Sequence, residues 1–229
     1  EDRILLITSN HNKMKRFFLA LLFTGTVATA AMAQSAQYTE AMTKQTADLD
    51  SSSTFNPDAL QQKGNTFERI ADAEKSQWLP YYYAAYTQVM QALMMKDKSQ
   101  VDPVADRAEA NLDKAEALSA KNSEIACVRS LIATARLTVD PMTRGQQYGA
   151  VAADLLQQAK TLNPENPRVY MLQGQSLLYT PEQFGGSKSQ AKTTLELALE
   201  KFAAFKPESS IAPHWGEPYT RMMLQASQK

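Results

Sequence analysis

The 229-residue chain balances 24 Lys and Arg against 24 Asp and Glu, with 21% charged and 44% hydrophobic residues. Such a balance leaves no electrostatic footprint for nucleic acid or an anionic membrane, and the length suits one domain with a continuous core. A single cysteine, Cys127, rules out an internal disulfide framework.

The N-terminus divides before any fold argument begins. Met14-Lys15-Arg16 is followed by an apolar run from Phe17 to Phe23 and then by small residues ending Ala31-Met32-Ala33. A basic start, a short apolar run and a small-x-small ending make a secretory signal peptide, and the run is too short and too interrupted by Thr and Gly to span a bilayer. Residues 14–33 are therefore expected to be removed after Ala33, and residues 1–13, which precede the first methionine, read as a non-native upstream extension. Residues 34–229 then form the mature chain. No cysteine stands directly after the cleavage site, so the expectation is a periplasmic or secreted protein with no lipid anchor and no membrane insertion.

From Gln34 onward the chain reads as helices separated by capping signals. Tyr38 to Leu49 is a short helix, and a serine-rich break follows at Asp50 to Thr54. Asn56-Pro57 opens the next helix, since Asn accepts from first-turn amides and Pro tolerates the first helical position; its apolar face is Leu60, Phe67, Ile70 and Ala71. Trp78 to Met95 is the most aromatic helix, with Leu79, Tyr83, Tyr86, Met90 and Leu93 on one stripe and Tyr81 and Tyr82 on others, which predicts cover on more than one side. Asp102-Pro103 is expected to start a helix carrying Ala108, Leu112 and Ala115. Ser123 to Val139 follows, with Ile125, Val128 and Ile132. Asp140-Pro141 opens a helix carrying Tyr148, Ala152, Leu156, Ala159 and Leu162, which ends at Asn163-Pro164.

Arg168 to Tyr179 and Ser189 to Phe205 form a last long pair around the loop Thr180 to Lys188, before a tail in which Trp215 and Met222 or Met223 would cap the final apolar face. Each pair leaves an apolar stripe that only a neighbouring pair can cover. The spacing Ala-x3-Leu-x2-Ala recurs at Ala108/Leu112/Ala115, Ala152/Leu156/Ala159 and Ala191/Leu195/Ala198, and a period near 40 residues belongs to helical repeat arrays.

These positions resemble tetratricopeptide repeats. Ala152, Leu156, Ala159 and Pro164 stand at the offsets of that family's second helix, and Tyr170, Gly174 and Leu177 at those of its first; Ile125, Val128, Arg129 and Ile132 match in part. The units here are longer than the family's roughly 34 residues, the loops are extended, and Pro207 falls one turn late. The Asn166-Pro167-Arg168, Phe184-Gly185-Gly186 and Trp215-Gly216 landmarks further resemble exported helical-repeat proteins of Bacteroidetes type. The resemblance implies an all-α fold, a right-handed superhelix of stacked antiparallel helix pairs, and a protein- or peptide-binding or scaffolding role through a concave groove.

Catalysis is not expected. His214 is the only histidine after residue 33 and Cys127 the only thiol, so no multi-histidine metal site can be assembled, and no metal or cofactor is expected. Cys127 lies on the apolar face of Ile125, Val128 and Ile132 and is expected to be buried and inert. The candidate binding residues are Tyr82, Tyr86, Tyr148 and Tyr170, which could line a groove, and Arg144 and Arg168, cations near helix starts that must find an acid, a carbonyl or a ligand carboxylate because the helix dipole offers them nothing. Phe184 and Lys188 complete the set. Two glycines before a helix can expose amides to an anion, so the loop Phe184 to Lys188 supports an alternative as a small-molecule or anion site; its plainer reading has Phe184 plugging the hairpin and Ser187 or Ser189 capping the helix.

Overall fold

In a computed structural model the described residues are 36–51 and 55–228. The proposed extension, signal peptide and cleavage site lie outside them. The chain forms two compact units, Glu1–Ala41 and Met42–Lys229. Of the first, the described residues 36–41 are helical and belong to a helix over 36–46, α1.

The second unit continues with α2 (Pro57–Glu74), α3 (Trp78–Met94), α4 (Val101–Leu118), α5 (Ser123–Leu137), α6 (Pro141–Leu162), α7 (Pro167–Tyr179), α8 (Lys188–Ala204) and α9 (Glu217–Ser227). No strand occurs among the described residues. The local chemistry that opens these helices is the chemistry of their caps. Asn56 accepts from the Ala59 amide at 2.8 Å, Asp140 from the amides of Met142 and Thr143, Asn166 from that of Arg168 and Ser187 from that of Gln190. Asp102 behaves otherwise. A 3-10 turn over Lys98–Gln100 runs directly into α4, which starts at Val101, so Asp102-Pro103 falls inside the first turn. Pro103 is tolerated there because first-turn amides have no helical acceptor. Thr180-Pro181 likewise opens only the 3-10 turn Glu182–Phe184.

Consecutive helices pack as α2 on α3, α3 on α4, α5 on α6 and α7 on α8, while α3 meets α5 and α5 meets α7. The recurring small-Leu-small positions make these contacts: Ala108, Leu112, Ala115, Ala159, Ala191, Leu195 and Ala198 are all fully buried. At Gly174 any side chain would begin 2.7 Å from Leu195, so the close approach of α7 to α8 requires a bare backbone. Helix α3 sits innermost. Thirteen of its residues are buried, among them Tyr81, Tyr82, Tyr83 and Tyr86, in line with an aromatic helix covered on several sides. Cys127 is fully buried, and burial pushes its thiol well above the ordinary range, so it stays protonated and unreactive.

The loop between α7 and α8 differs from the plug expected of it. Phe184 is 64% exposed and fills no interior. The loop is held instead by backbone: Gly185 adopts φ +96°, the Gly186 amide donates to the Pro181 carbonyl, and the Ser187 amide donates to the Leu177 carbonyl at 2.9 Å. A Cβ on Gly186 would overlap the Thr180 carbonyl, whereas one on Gly185 would meet open space. Gly186→Ala is therefore expected to destabilise by roughly 2–3 kcal/mol, because the obstructing atom is backbone and cannot rotate aside, and Gly185→Ala by about 1 kcal/mol from φ alone. Urea unfolding of the two variants checks the ranking.

Candidate functional site

The centre of the second unit is a polar chain set in aromatic walls. Asn166 places it: its carbonyl caps α7 and its amide donates to Ser123 Oγ at 3.0 Å, fixing the start of α7 against the start of α5. Arg168, two residues on, is fully buried and donates from Nη1 to Glu124 Oε1 at 3.0 Å. Tyr82 donates its hydroxyl to the other oxygen, Glu124 Oε2, at 3.2 Å and accepts from Trp215 Nε1 at 2.9 Å. Burial pushes the Tyr82 phenol well above its usual range, so it remains a donor. Burial likewise raises Glu124, with the Arg168 charge and the hydrogen bonds pulling it back. The guanidinium of Arg168 lies 5.0 to 5.8 Å from the ring centres of Phe202, Phe205 and Trp215, while its Nε and Nη2 have no hydrogen-bond partner. Three aromatic faces stand in for the missing acceptors.

Trp215 belongs to the non-helical segment between α8 and α9, which crosses α3. Tyr83 donates to the Ile211 carbonyl at 3.0 Å, Trp215 stacks on Tyr86 with centroids 4.4 Å apart, and the Gly216 amide donates to Asp50 with its two oxygens at 3.0 and 3.2 Å. Gly216 has φ +108°, and a Cβ there would lie 2.8 Å from Met171 Sδ. The expectation that Trp215 caps the last apolar face is thus corrected. It is drawn inward by a hydrogen bond and a stacking partner on α3; the terminal cover comes from α9, through the fully buried Met223, while Met222 is exposed.

Beside this crossing lies a shallow cleft with only about 30 Å³ of space, room for a water or two and well below the volume of a small-molecule site. Tyr86, Met90 and Leu93 of α3, Met171 and Leu172 of α7, Leu131, Phe55, Trp215 and Tyr219 provide its apolar surface; Asp50, Gln175 and the Gly216 backbone provide its polar groups. The Tyr219 phenol is raised by burial and by a hydrogen bond with Tyr179, so Tyr219 meets the cleft as a neutral hydroxyl. Burial also raises Asp50, offset by the Gly216 amide and by Arg168.

Of the residues singled out from sequence, Tyr82, Tyr86 and Arg168 come together here, and only Tyr86 reaches the cleft. Tyr82 and Arg168 are sealed beneath Trp215. As the dipole argument required, both arginines find acids: Arg144 donates to the two carboxylate oxygens of Asp102 at 2.8 and 2.9 Å and to the Arg136 carbonyl, with the Tyr148 ring 6.0 Å away. Tyr170 donates to the Pro164 carbonyl, and Lys160 and Lys201 flank its ring. Arg144, Tyr148, Tyr170, Phe184 and Lys188 line no part of the cleft. Lys188 is exposed at the start of α8. His214 is exposed, with Nδ1 against the Ala212 carbonyl. No cluster of three or more possible metal ligands occurs among the described residues, and no described helix is long and apolar enough to cross a membrane.

Sequence reasoning missed Asp50, Glu124, Gln175 and Tyr219, and misplaced Trp215. The one available signal was Arg168 itself, a cation on an apolar helix, which demands a buried acid without saying which.

Fold and cleft together define an all-helical protein with a small, largely apolar cavity at the crossing of its C-terminal segment. The chain is 42% identical to the HusA haemophore from Porphyromonas gingivalis, with a TM-score of 0.75, over 83% of this chain and 92% of that one. It belongs to the same family as that haemophore. No protein-family model matches the sequence, and no curated protein matches it.

Proposed function

We propose that the protein is an exported carrier of a small planar apolar ligand, haem or a related tetrapyrrole, and that it binds rather than transforms its cargo. The observation that carries this reading is the 42% identity to a haemophore over 92% of that chain. The cleft supports it. Phe55, Met90, Leu93 and Tyr219 leave part-exposed apolar surface at its mouth, against which an apolar ligand would bury a face if the cleft widens to admit it.

The wider architecture in this proposal is a single helical-repeat domain over residues 34–229, its helix pairs stacked as a right-handed superhelix of tetratricopeptide-like type. Residues 14–33 are removed on export to the periplasm or beyond. A small-molecule role fits better than peptide binding through Tyr82 and Tyr86, because residues 211–216 already cover those rings. In this proposal the ligand site is the cleft, widened on binding, and not the Phe184 to Lys188 loop.

Spectrophotometric titration with haem and with iron-free protoporphyrin tests the reading. Both are expected to bind and to quench Trp215 emission, with affinities within about tenfold, a difference of roughly 1.4 kcal/mol, because the wall offers mainly surface. Binding of haem alone would move the weight to iron ligation by Tyr219, Met90 or Met171. Binding of neither rejects the carrier.

A further inference from the structure

The cleft is closed, and one contact closes it: Tyr86 and Trp215 are buried and stacked on each other with centroids 4.4 Å apart, beside a space of only about 30 Å³. Widening the cleft means parting that stack. Tyr86 stands within α3, which packs against α2, α4 and α5, and the other long helical wall, Met171 and Leu172, belongs to α7, held by α5, α6, α8 and α9. Neither helix can yield without opening the core.

Trp215 is carried differently. Residues 206–216 form no helix, and 206–210 are exposed. Among the described residues no backbone–backbone hydrogen bond joins 206–215 to another element; the Ala212 amide turns back on the Ser209 carbonyl. Side chains hold the segment instead: Tyr83 on the Ile211 carbonyl, Tyr82 on the Trp215 indole, Asp50 on the Gly216 amide, and Tyr86 by stacking. Beneath it lies the ion pair of Glu124 with Arg168, whose Nε and Nη2 have no hydrogen-bond partner. Taking such a pair out of water is costly, so water reaching it on opening offsets part of the cost of uncovering the rings.

We propose that residues 206–216 are the gate of the cleft. The segment lifts from α3, Trp215 leaves the face of Tyr86, the ligand enters, and the segment closes again with Trp215 against the ligand. This rests on the carrier reading above and names the element whose movement that reading requires.

The Trp215 indole N–H, bonded to Tyr82, reports the opening. Its exchange with deuterium is followed by NMR beside that of the α3 amides, the slowest of which exchange only on global unfolding. The indole is expected to exchange at least about a hundredfold faster than those amides, through local opening. Tyr83→Phe keeps the ring stacked on Phe67 and removes the bond to Ile211, and should raise the indole rate about fivefold, the effect of one lost hydrogen bond. Stopped-flow association of protoporphyrin IX should quicken by the same factor in that variant, because opening precedes entry, and bound porphyrin should slow the indole exchange. If Tyr83→Phe is not folded by circular dichroism, Asp50→Ala, which removes the acceptor of the Gly216 amide, takes its place. An indole that exchanges only with the slowest α3 amides overturns the gate. So does an unchanged association rate in a variant whose indole exchanges faster, since the ligand then enters elsewhere. In both cases protoporphyrin still binds and the carrier stands. Failure of the wild-type protein to bind protoporphyrin IX instead removes the carrier, and the gate with it.

Discussion

Replacing Glu124 by Ala is expected to lower the unfolding free energy by about 3–5 kcal/mol, the range for a buried ion pair broken from one side. Arg168 is fully buried, and among the described residues its only side-chain hydrogen bond goes to Glu124. Without that carboxylate the guanidinium keeps its charge, because it cannot lose a proton in the accessible range, and retains only the rings of Phe202, Phe205 and Trp215. Tyr82 also loses the acceptor of its hydroxyl. The expected fall in melting temperature is about 6–20 °C for a domain of this size, and urea unfolding should show a lower midpoint with an unchanged slope. The double variant Glu124→Leu with Arg168→Met separates charge from packing. It removes both partners and should recover most of the loss, because two apolar residues of similar volume leave no ion unpaired. A double variant no more stable than Glu124→Ala would mean that packing around the pair, and not the orphaned charge, carries the cost.

Periodicity and capping residues made the helices legible, because both act within a turn or two of the chain. Asn56, Asp140, Asn166 and Ser187 all cap as their side-chain chemistry requires, and the Ala-Leu-Ala spacing marks contact positions in three helices. Where two local signals met, one overrode the other: the 3-10 turn at Lys98–Gln100 moved the start of α4 ahead of Asp102. Phe184 was misread because hydrophobicity alone places a side chain inside, whereas the loop is fixed by hydrogen bonds to the carbonyls of Leu177 and Pro181, with the Thr180 carbonyl packed against Gly186, and leaves the ring nothing to fill.

The cleft was less legible for a different reason. Asp50, Met90, Met171 and Trp215 lie on four separate stretches of chain, and no spacing rule relates them. Arg168 came nearest to disclosing the site, since a cation on an apolar helix face implies a buried acid. The acid proved to be 44 positions away on α5, reached only because α5 and α7 pack side by side.

Trp215→Ala is expected to cost about 3–5 kcal/mol of stability, in the range of a large aromatic removed from a core, and to abolish the proposed ligand binding. The side chain is 3% exposed. It stacks on Tyr86, donates to Tyr82 and covers one face of Arg168. Removing it leaves a void beside a charged side chain, deprives Tyr82 of the donor that orients its hydroxyl, and frees the crossing segment from two of its four fastenings, leaving Ile211 on Tyr83 and Gly216 on Asp50. Trp215→Phe distinguishes these contributions. Phenylalanine keeps the stacking and most of the volume but has no N–H, so it should cost about 1–2 kcal/mol and retain ligand binding within about tenfold. If Trp215→Phe lost ligand binding as completely as Trp215→Ala, the hydrogen bond to Tyr82 would be what shapes the cleft. If Trp215→Ala instead bound porphyrin more tightly than the wild-type protein, Trp215 would be a cover over the ligand site and not its wall. The two outcomes are read from the same pair of titrations, with chemical denaturation run alongside to confirm that each variant is folded.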